Sequence, residues 1–420
     1  MLNSPKFDVV NSLLYMEKDP EIQRSRYLLV LKKFCELFPA CHKVSFFSAP
    51  GRTEIAGNHT DHQQGRVIAA SINLDAIAIA APTGDNLIKI KSHGYPMIEI
   101  SLEDVSQRDE EISSSKAIVR GIASRLHQLG YKTGGFNAYV TSDVFPGSGL
   151  SSSAAFEVLI ATIFNRFYND GRIENIETAK VCQYAENIYF GKPCGLMDQM
   201  ASSIGGFVYI DFVDADNPYV EQLYLNPAHY QYSLCIVNTG GSHADLTEDY
   251  GTVPKDMTAV AKYFGKDVLR KLTFGDFLSE IPALRKELGD LSVLRGIHFF
   301  SENDRVADQA EALENGDFQR FRQLVLESGR SSFMYNQNVF SPRNPSEQSL
   351  SIALAISQTI LGEDGAWRVH GGGFAGTIQA YVPWDLLDPY KKVMTSTFGE
   401  GSVMEVKIRN FGGVCIEHLS

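Results

Sequence analysis

Apolar residues recur along this chain in two rhythms. Spacing of three to four residues predicts amphipathic helices, whereas alternation or short unbroken apolar runs predict strands. Helical spacing covers Ile22–Leu37, Ala117–Leu129, Phe156–Phe167 and Glu174–Phe190, and later roughly 256–264, 291–300, 302–328, 346–361 and 385–397. Gly130 stops the second of these, and Gly191 with Pro193 stops the fourth. Strands are predicted at Lys43–Phe47, within the apolar run Val67–Ala81, and at Leu87–Ser92 and Met97–Leu102 as a hairpin about His93–Pro96. Phe136–Val144, Phe207–Phe212 and Tyr232–Asn238 follow, then Ala366–His370, Thr377–Val382, Val403–Ile408 and Val414–His418. Strands interleaved with helices and closing on a small sheet predict an α+β fold. At 420 residues the chain exceeds what one core usually fills, so two domains are expected, 1–215 and 216–420, joined at the Asp214–Pro218 turn.

Composition narrows the classes. Apolar residues make up 44% and charged residues 21%, as in an ordinary globular protein. A net charge of −12 argues against a general nucleic-acid binder, which needs clustered Lys and Arg. Neither a run of about 18 apolar residues nor a leader-like start is seen, so no membrane partner and a cytoplasmic location are expected. The six cysteines lack any Cys-x-x-Cys pair, which predicts buried free thiols rather than zinc or disulfides.

Candidate chemistry concentrates in a few stretches. Pro146-Gly147-Ser148-Gly149-Leu150-Ser151-Ser152-Ser153 lies between a predicted strand and a predicted helix. Its glycines allow close backbone approach, the helix N-terminus favours an anion, and the serines add hydroxyls for phosphate oxygens or Mg²⁺. The stretch reads as a phosphate cradle. Ala49–His62 reads as a glycine-punctuated loop in which Arg52, His59 and Asp61 crowd together, a donor and acceptor mixture suited to gripping hydroxyls. Glu186 lies in a last helical turn and Asp198 near a helix N-terminus, which favours its ionised form by about 0.3–1 kcal/mol. Gly371-Gly372-Gly373-Phe374-Ala375-Gly376 satisfies the dinucleotide pattern, but too few residues follow it to build a Rossmann half. It reads instead as a glycine-rich support, and no Gly-Lys-Ser/Thr marks a Walker loop.

Taken in order, Pro50-Gly51-Arg52 with Gly57-Asn58-His59-Thr60-Asp61, the Pro146–Ser153 cradle and Gly371–Gly376 resemble the three motifs of the GHMP small-molecule kinases. The Gly-x-His-Thr-Asp form of the first, with Cys194-Gly195-Leu196-Met197-Asp198-Gln199, is similar to the galactokinase branch. The resemblance runs from about residue 43 to 383. It implies a two-lobed α+β fold of mixed sheets and helices, with ATP and a sugar in the cleft between lobes. It also implies phosphorylation of the anomeric hydroxyl of galactose. By motif, Asp198 matches the catalytic aspartate and Arg52 the arginine beside it. Ser92, Gly147, Ser148, Gly149, Leu150, Ser151, Ser152 and Ser153 fall to ATP; Ser153 and Glu186 fall to Mg²⁺, with Ser152 an adjacent choice. Asn58, His59, Asp61, Gly195 and Tyr250 fall to the sugar. The implied partners are the sugar and ATP, and a monomer is the default.

Three departures bear on the sugar rather than the reaction. Asn58 stands where the family usually has glutamate, His62 where it has tyrosine, and Gly251-Thr252-Val253-Pro254 follows Tyr250 in place of a basic pair. They leave room for a uronic acid, an N-acetylhexosamine or a pentose. A non-catalytic sugar and ATP sensor would instead predict a damaged catalytic set, and Arg52, Asp198, Glu186 and the serines are all present.

Overall fold

The computed structural model describes residues 2, 4–145, 149–240 and 247–419. Among the described residues twelve strands run in chain order as β1 (Ser45–Ala56), β2 (Arg66–Pro82), β3 (Leu87–Ser92), β4 (Met97–Ser101), β5 (Phe136–Ser142) and β6 (Phe207–Asp211), then β7 (Tyr219–Leu223), β8 (Tyr232–Asn238), β9 (Ala366–His370), β10 (Thr377–Pro383), β11 (Val403–Val406) and β12 (Val414–Cys415). The larger sheet has the order β12-β1-β2-β5-β3-β4, with β6 on β2 and β7 on β6; the smaller is β11-β8-β10-β9. All neighbours are antiparallel except β3 and β5, which are parallel.

The unbroken apolar run is one long strand, β2, and its composition follows from being covered on both faces. Ala76, Ala78 and Ala80 point into the core beneath helices Ser115–Gln128 and Ser152–Tyr168. Ile77, Ile79 and Ala81 point the other way, onto Phe7, Tyr27 and Phe34 of helices Pro5–Leu14 and Pro20–Leu37. The strand also serves two partners in succession, β6 along Arg66–Ala70 and β5 along Ala76–Pro82.

Several expectations are corrected. Residues 49–56 are strand, not loop: β1 stays paired to β2 through register shifts at Pro50/Arg52 and Glu54/Ala56. The polar loop begins only at Gly57, whose positive φ of 89° and close approach to the Arg66 carbonyl admit no Cβ. The helical pattern of 291–328 breaks at Gly316 rather than residue 301, giving Asp290–Glu314 and Phe318–Ser331. Strands β7 and β12, from beyond residue 215, pair into the larger sheet, β7 as the hairpin partner of β6. All six cysteines are free, and Cys182, Cys235 and Cys415 are buried, but Cys35 is exposed. Among the described residues no helix is long and apolar enough to cross a membrane.

One buried charge knits the larger lobe. Asp75, fully buried in β2, accepts from Tyr15 Oη at 2.7 Å, Arg26 Nη1 at 2.6 Å, Arg409 Nη1 at 3.2 Å and the Ser48 hydroxyl. Burial opposes its ionisation, but Arg26 and Arg409 outweigh that and hold it below the usual carboxylate range. Its contribution to stability is therefore complete above the unfolded-state value and is lost only as pH falls through the lower folded value. Asp75→Asn should cost about 3–5 kcal/mol of unfolding free energy in urea titrations at pH 7, because it strands the buried guanidinium of Arg409. The gap from the parent should close only below about pH 4; a gap that is already closed at pH 6 would contradict this account.

Candidate active site

The site is assembled where β1 kinks. A Cβ at Gly51 would lie 2.8 Å from the Leu150 carbonyl, so the serine turn rests directly on this strand. The next residue, Arg52, donates its backbone N–H to that same carbonyl at 3.0 Å. Its guanidinium reaches across to Asp198, with Nε to Oδ1 at 2.6 Å and Nη2 to Oδ2 at 2.6 Å, while Nη1 donates to the Gly149 carbonyl. This is the planar two-point geometry that arginine, and not lysine, can make. Ser151, held at φ 59°, forgoes capping the helix Ser152–Tyr168 and donates its hydroxyl to Asp198 Oδ2 at 2.5 Å. Asp198 is the second residue of helix Met197–Ile204, so the helix dipole also favours its charge. Burial pushes its pKa up, but Arg52, then Ser151 and Lys192, more than compensate and hold it below the usual range. The ion pair keeps one face open: Arg52 is 11% exposed and Asp198 30%.

Beside this pair opens a cavity of about 590 Å³, lined among others by Ser92, Lys116, Ser152, Ser153, Phe156 and Glu186. Helices Ser115–Gln128 and Ser152–Tyr168 both begin at its wall; Ser114 Oγ caps the first on the Ala117 N–H at 3.3 Å, whereas no side chain caps the second. Glu186 sits in a single π-helical turn, Ala185–Phe190, that carries on from the helix Asn175–Tyr184. Its Oε2 accepts from Gln199 Nε2 at 2.8 Å and its Oε1 from Lys192 Nζ at 3.2 Å. Gln199 also bridges to Glu157 Oε2 at 3.0 Å, and the other Glu157 oxygen is buried without a partner among the described residues. Burial first, and Glu186 next, push Glu157 well above the usual carboxylate range. Neither Glu157 nor Gln199 was expected; the available signal was an acid on the apolar face of a helical pattern. Of the predicted phosphate loop, Gly149, Leu150 and Ser151 to Ser153 are seen here, while Gly147 and Ser148 lie outside the described residues. A second cavity, of about 890 Å³, lies between helices Phe318–Ser331 and Ser349–Leu361 and touches none of the predicted residues.

The polar loop forms the third wall. His59, at φ 61°, lies tilted against Tyr250 with ring centroids 5.3 Å apart, and its Nε2 lies 2.9 Å from the Gly372 carbonyl. That carbonyl only accepts, so Nε2 carries the proton and Nδ1 accepts from His62 Nε2 at 3.1 Å. Burial, followed by the neighbouring His62, lowers His59 to about 3, and burial lowers His62 to about 4, so both rings are neutral at pH 7. Asp61 packs against Gly195, where an added Cβ would meet its Oδ2 at 2.6 Å. Burial, with Asp198 adding to it, pushes Asp61 above its ordinary value.

Asn58 departs from the expected sugar contact. Its side chain is fully buried and donates to Glu54 Oε1 at 3.1 Å and to the Gly371 carbonyl at 2.6 Å. Its Oδ1 accepts from Asn338 Nδ2 at 2.9 Å and Ser332 Oγ at 3.3 Å. All four hydrogen-bonding positions of the amide are taken by protein. The reason is placement: the residue follows Gly57 into the seam between lobes rather than into the cleft.

Comparison with known proteins agrees with this arrangement. Residues 32–82 match the galactokinase galactose-binding signature and residues 117–206 the GHMP kinases N-terminal domain. The first span holds Arg52, His59 and Asp61; the second holds Ser151–Ser153, Glu186 and Asp198. Among solved structures, the galactokinase of Lactococcus lactis complexed with galactose is 24% identical, covers 93% of this chain and 100% of its own, and superposes with a TM-score of 0.78. The mevalonate kinase of Methanococcus jannaschii is 14% identical over 87% of this chain and 99% of its own, with a TM-score of 0.62. A D-glycero-D-manno-heptose 1-phosphate kinase from Bacteriodes thetaiotaomicron is 17% identical over 88% of this chain and 98% of its own, at 0.59. These likenesses establish the α+β fold with its mixed sheets, while the signature distinguishes the branch. The chain thus carries a galactokinase galactose-binding signature and a GHMP kinases N-terminal domain on the fold that it shares with these solved kinases.

Proposed function

We propose that this chain transfers the γ-phosphoryl group of ATP to the anomeric hydroxyl of galactose, with Asp198 and Arg52 at the point of transfer. The observation that carries this reading is the two-point Arg52–Asp198 pair, fixed to the serine turn by Ser151 and by the Gly149 carbonyl. Phosphoryl transfer asks little covalent work of a protein, so positioning and charge neutralisation dominate. Asp198 accepts a hydrogen bond from the sugar hydroxyl and aims its oxygen at the phosphorus. Because Arg52 keeps Asp198 a weak base, the proton leaves the hydroxyl late, as the O–P bond forms and the bond to ADP breaks. Arg52 faces the negative charge that grows on the transferring group. His59, Asp61, Gly195 and Tyr250 wall the sugar side, and Ser92 with Ser151 to Ser153 walls the nucleotide side.

A divalent cation suits the donor set. Ser153, with Ser152 beside it, and Glu186 offer hard oxygens at one cavity, and one buried Glu157 oxygen there lacks a partner. Mg²⁺ bound there would offset charge on the phosphates, and one serine with one glutamate leaves its other positions to phosphate and water. His62, and the Gly251–Pro254 stretch after Tyr250, keep a second reading open, a different sugar at the same site, and a substrate panel decides between the two. In an ATP-consumption assay galactose should turn over fastest among galactose, galacturonic acid, N-acetylgalactosamine and arabinose; turnover of another sugar without galactose would defeat the first reading.

Two further outcomes follow from the geometry. Asp198→Ala should lower kcat by about 10²–10⁴ while nucleotide affinity stays within roughly threefold, as calorimetry would record. Near-normal kcat would remove Asp198 from the chemistry. On the acid side, Asp198 stays ionised below the ordinary carboxylate range, whereas Asp61 gains its proton at a higher pH. The acid limb of kcat/KM for the sugar should therefore lie above the ordinary aspartate value of about 3.9, with no matching limb in kcat/KM for ATP. A sugar limb at or below that value would contradict the assignment of Asp61.

A further inference from the structure

Lys192 has no part in the mechanism above, yet it stands between two of its carboxylates. Gly191, at φ 83°, turns the chain out of the Glu186 turn, and the Lys192 backbone N–H bonds the Glu186 carbonyl at 3.2 Å. Pro193 then fixes the following backbone. The residue's main chain is thus anchored while its side chain remains 61% exposed. Its ammonium lies 3.2 Å from Glu186 Oε1 and is close enough to Asp198 to help hold that carboxylate's pKa down.

The pair is unequal. Glu186 is 4% exposed and is held through its other oxygen by Gln199, so it cannot follow a moving partner. The ammonium, mostly in water, can leave at little cost. The other cation beside Asp198, Arg52, has three of its five N–H donors engaged: Nε and Nη2 on Asp198, Nη1 on Gly149. A polyphosphate arriving near Glu157, Glu186 and Asp198 brings more negative charge than the single charge of Arg52 offsets. An ammonium has three donors, of which Lys192 uses one here.

We propose that Lys192 is an exchangeable counter-ion, paired with Glu186 in the free enzyme and turned onto the polyphosphate when Glu186 serves the cation that accompanies ATP. The inference rests on the kinase reading given above. It separates Lys192 from a fixed structural bridge, because removing its charge must move two affinities in opposite directions. A cation alone competes with Lys192 for Glu186, whereas the nucleotide complex gains from it.

Lys192→Met tests this on the whole chain. Mn²⁺ titrated without nucleotide and followed by electron paramagnetic resonance should bind the variant about threefold more tightly or better. Mg²⁺ with a non-hydrolysable ATP analogue, followed by calorimetry, should bind it about tenfold more weakly, the size of one charged hydrogen bond. Lys192→Arg, which keeps the charge, should restore nucleotide affinity to within about threefold. Affinities that do not move, or that move in the same direction, overturn the proposal. No sugar enters these titrations, so failure to phosphorylate galactose would count against the kinase reading and leave this test standing.

Discussion

Arg52 and Asp198 stand 146 positions apart, and their side chains meet in a two-point ion pair at 2.6 Å on both arms. Most of the site's geometry is what that contact requires. Arg52 must leave β1 at a register shift, so Gly51 gives up its side chain to let the serine turn close over the strand. Asp198 must open a helix, and Ser151 must adopt a left-handed backbone to reach it. The strain of a non-glycine residue at positive φ, of order 1–3 kcal/mol, is offset by a hydrogen bond to a charged carboxylate.

The same strand also holds the two lobes in register. Arg368, fully buried in β9, donates to the Ile55 carbonyl at 2.8 Å and pairs with Glu54 at 2.5 Å. Gln379 bonds Thr53 and the Glu54 carbonyl, and His298 lies 2.9 Å from the Asn58 carbonyl. Glu302, lowered to about 2 because Arg305 and His298 outweigh its burial, lies 3.3 Å from the Gly57 N–H and accepts Ser328 at 2.6 Å. A buried polar seam of this kind is costly wherever a member goes unpaired, and among the described residues only part of it is satisfied, since Gln379 Oε1 and Asn338 Oδ1 are buried without a partner. Asn58 belongs to it. A carboxylate at that position would face the Gly371 carbonyl and lie close to the Glu54 carboxylate, which explains why an amide suits this chain there.

Local pattern made the elements and the cradle legible, because period and glycine placement act within a few residues. The extended run within Val67–Ala81, the helix through Phe156–Phe167 and the place of Asp198 near a helix N-terminus all follow from neighbouring residues. The continuation of β1 through Pro50-Gly51-Arg52 was not legible, since β2 supplies the pairing that holds those turn-forming residues extended. Asn58 and Glu54 were equally opaque, because each has a partner on strand β9 or in the turn after it, some 300 positions away. The bridge from Glu157 through Gln199 to Glu186 left one trace, an acid on the apolar face of a helical pattern, because its members come from three separate elements. Helix Pro5–Leu14 was passed over because its apolar face, Phe7, Val10 and Leu14, has meaning only against β2 and β5.

The central claim is that Arg52 and Asp198 act as one unit at the transferring phosphoryl group, and a double-mutant cycle addresses it most directly. Sugar kcat/KM would be measured for Arg52→Ala, Asp198→Ala and the double variant. The account predicts that the double variant is within about threefold of the worse single one, as for residues acting jointly. A loss equal to the product of the two single losses would mean that the residues work independently, and would contradict it.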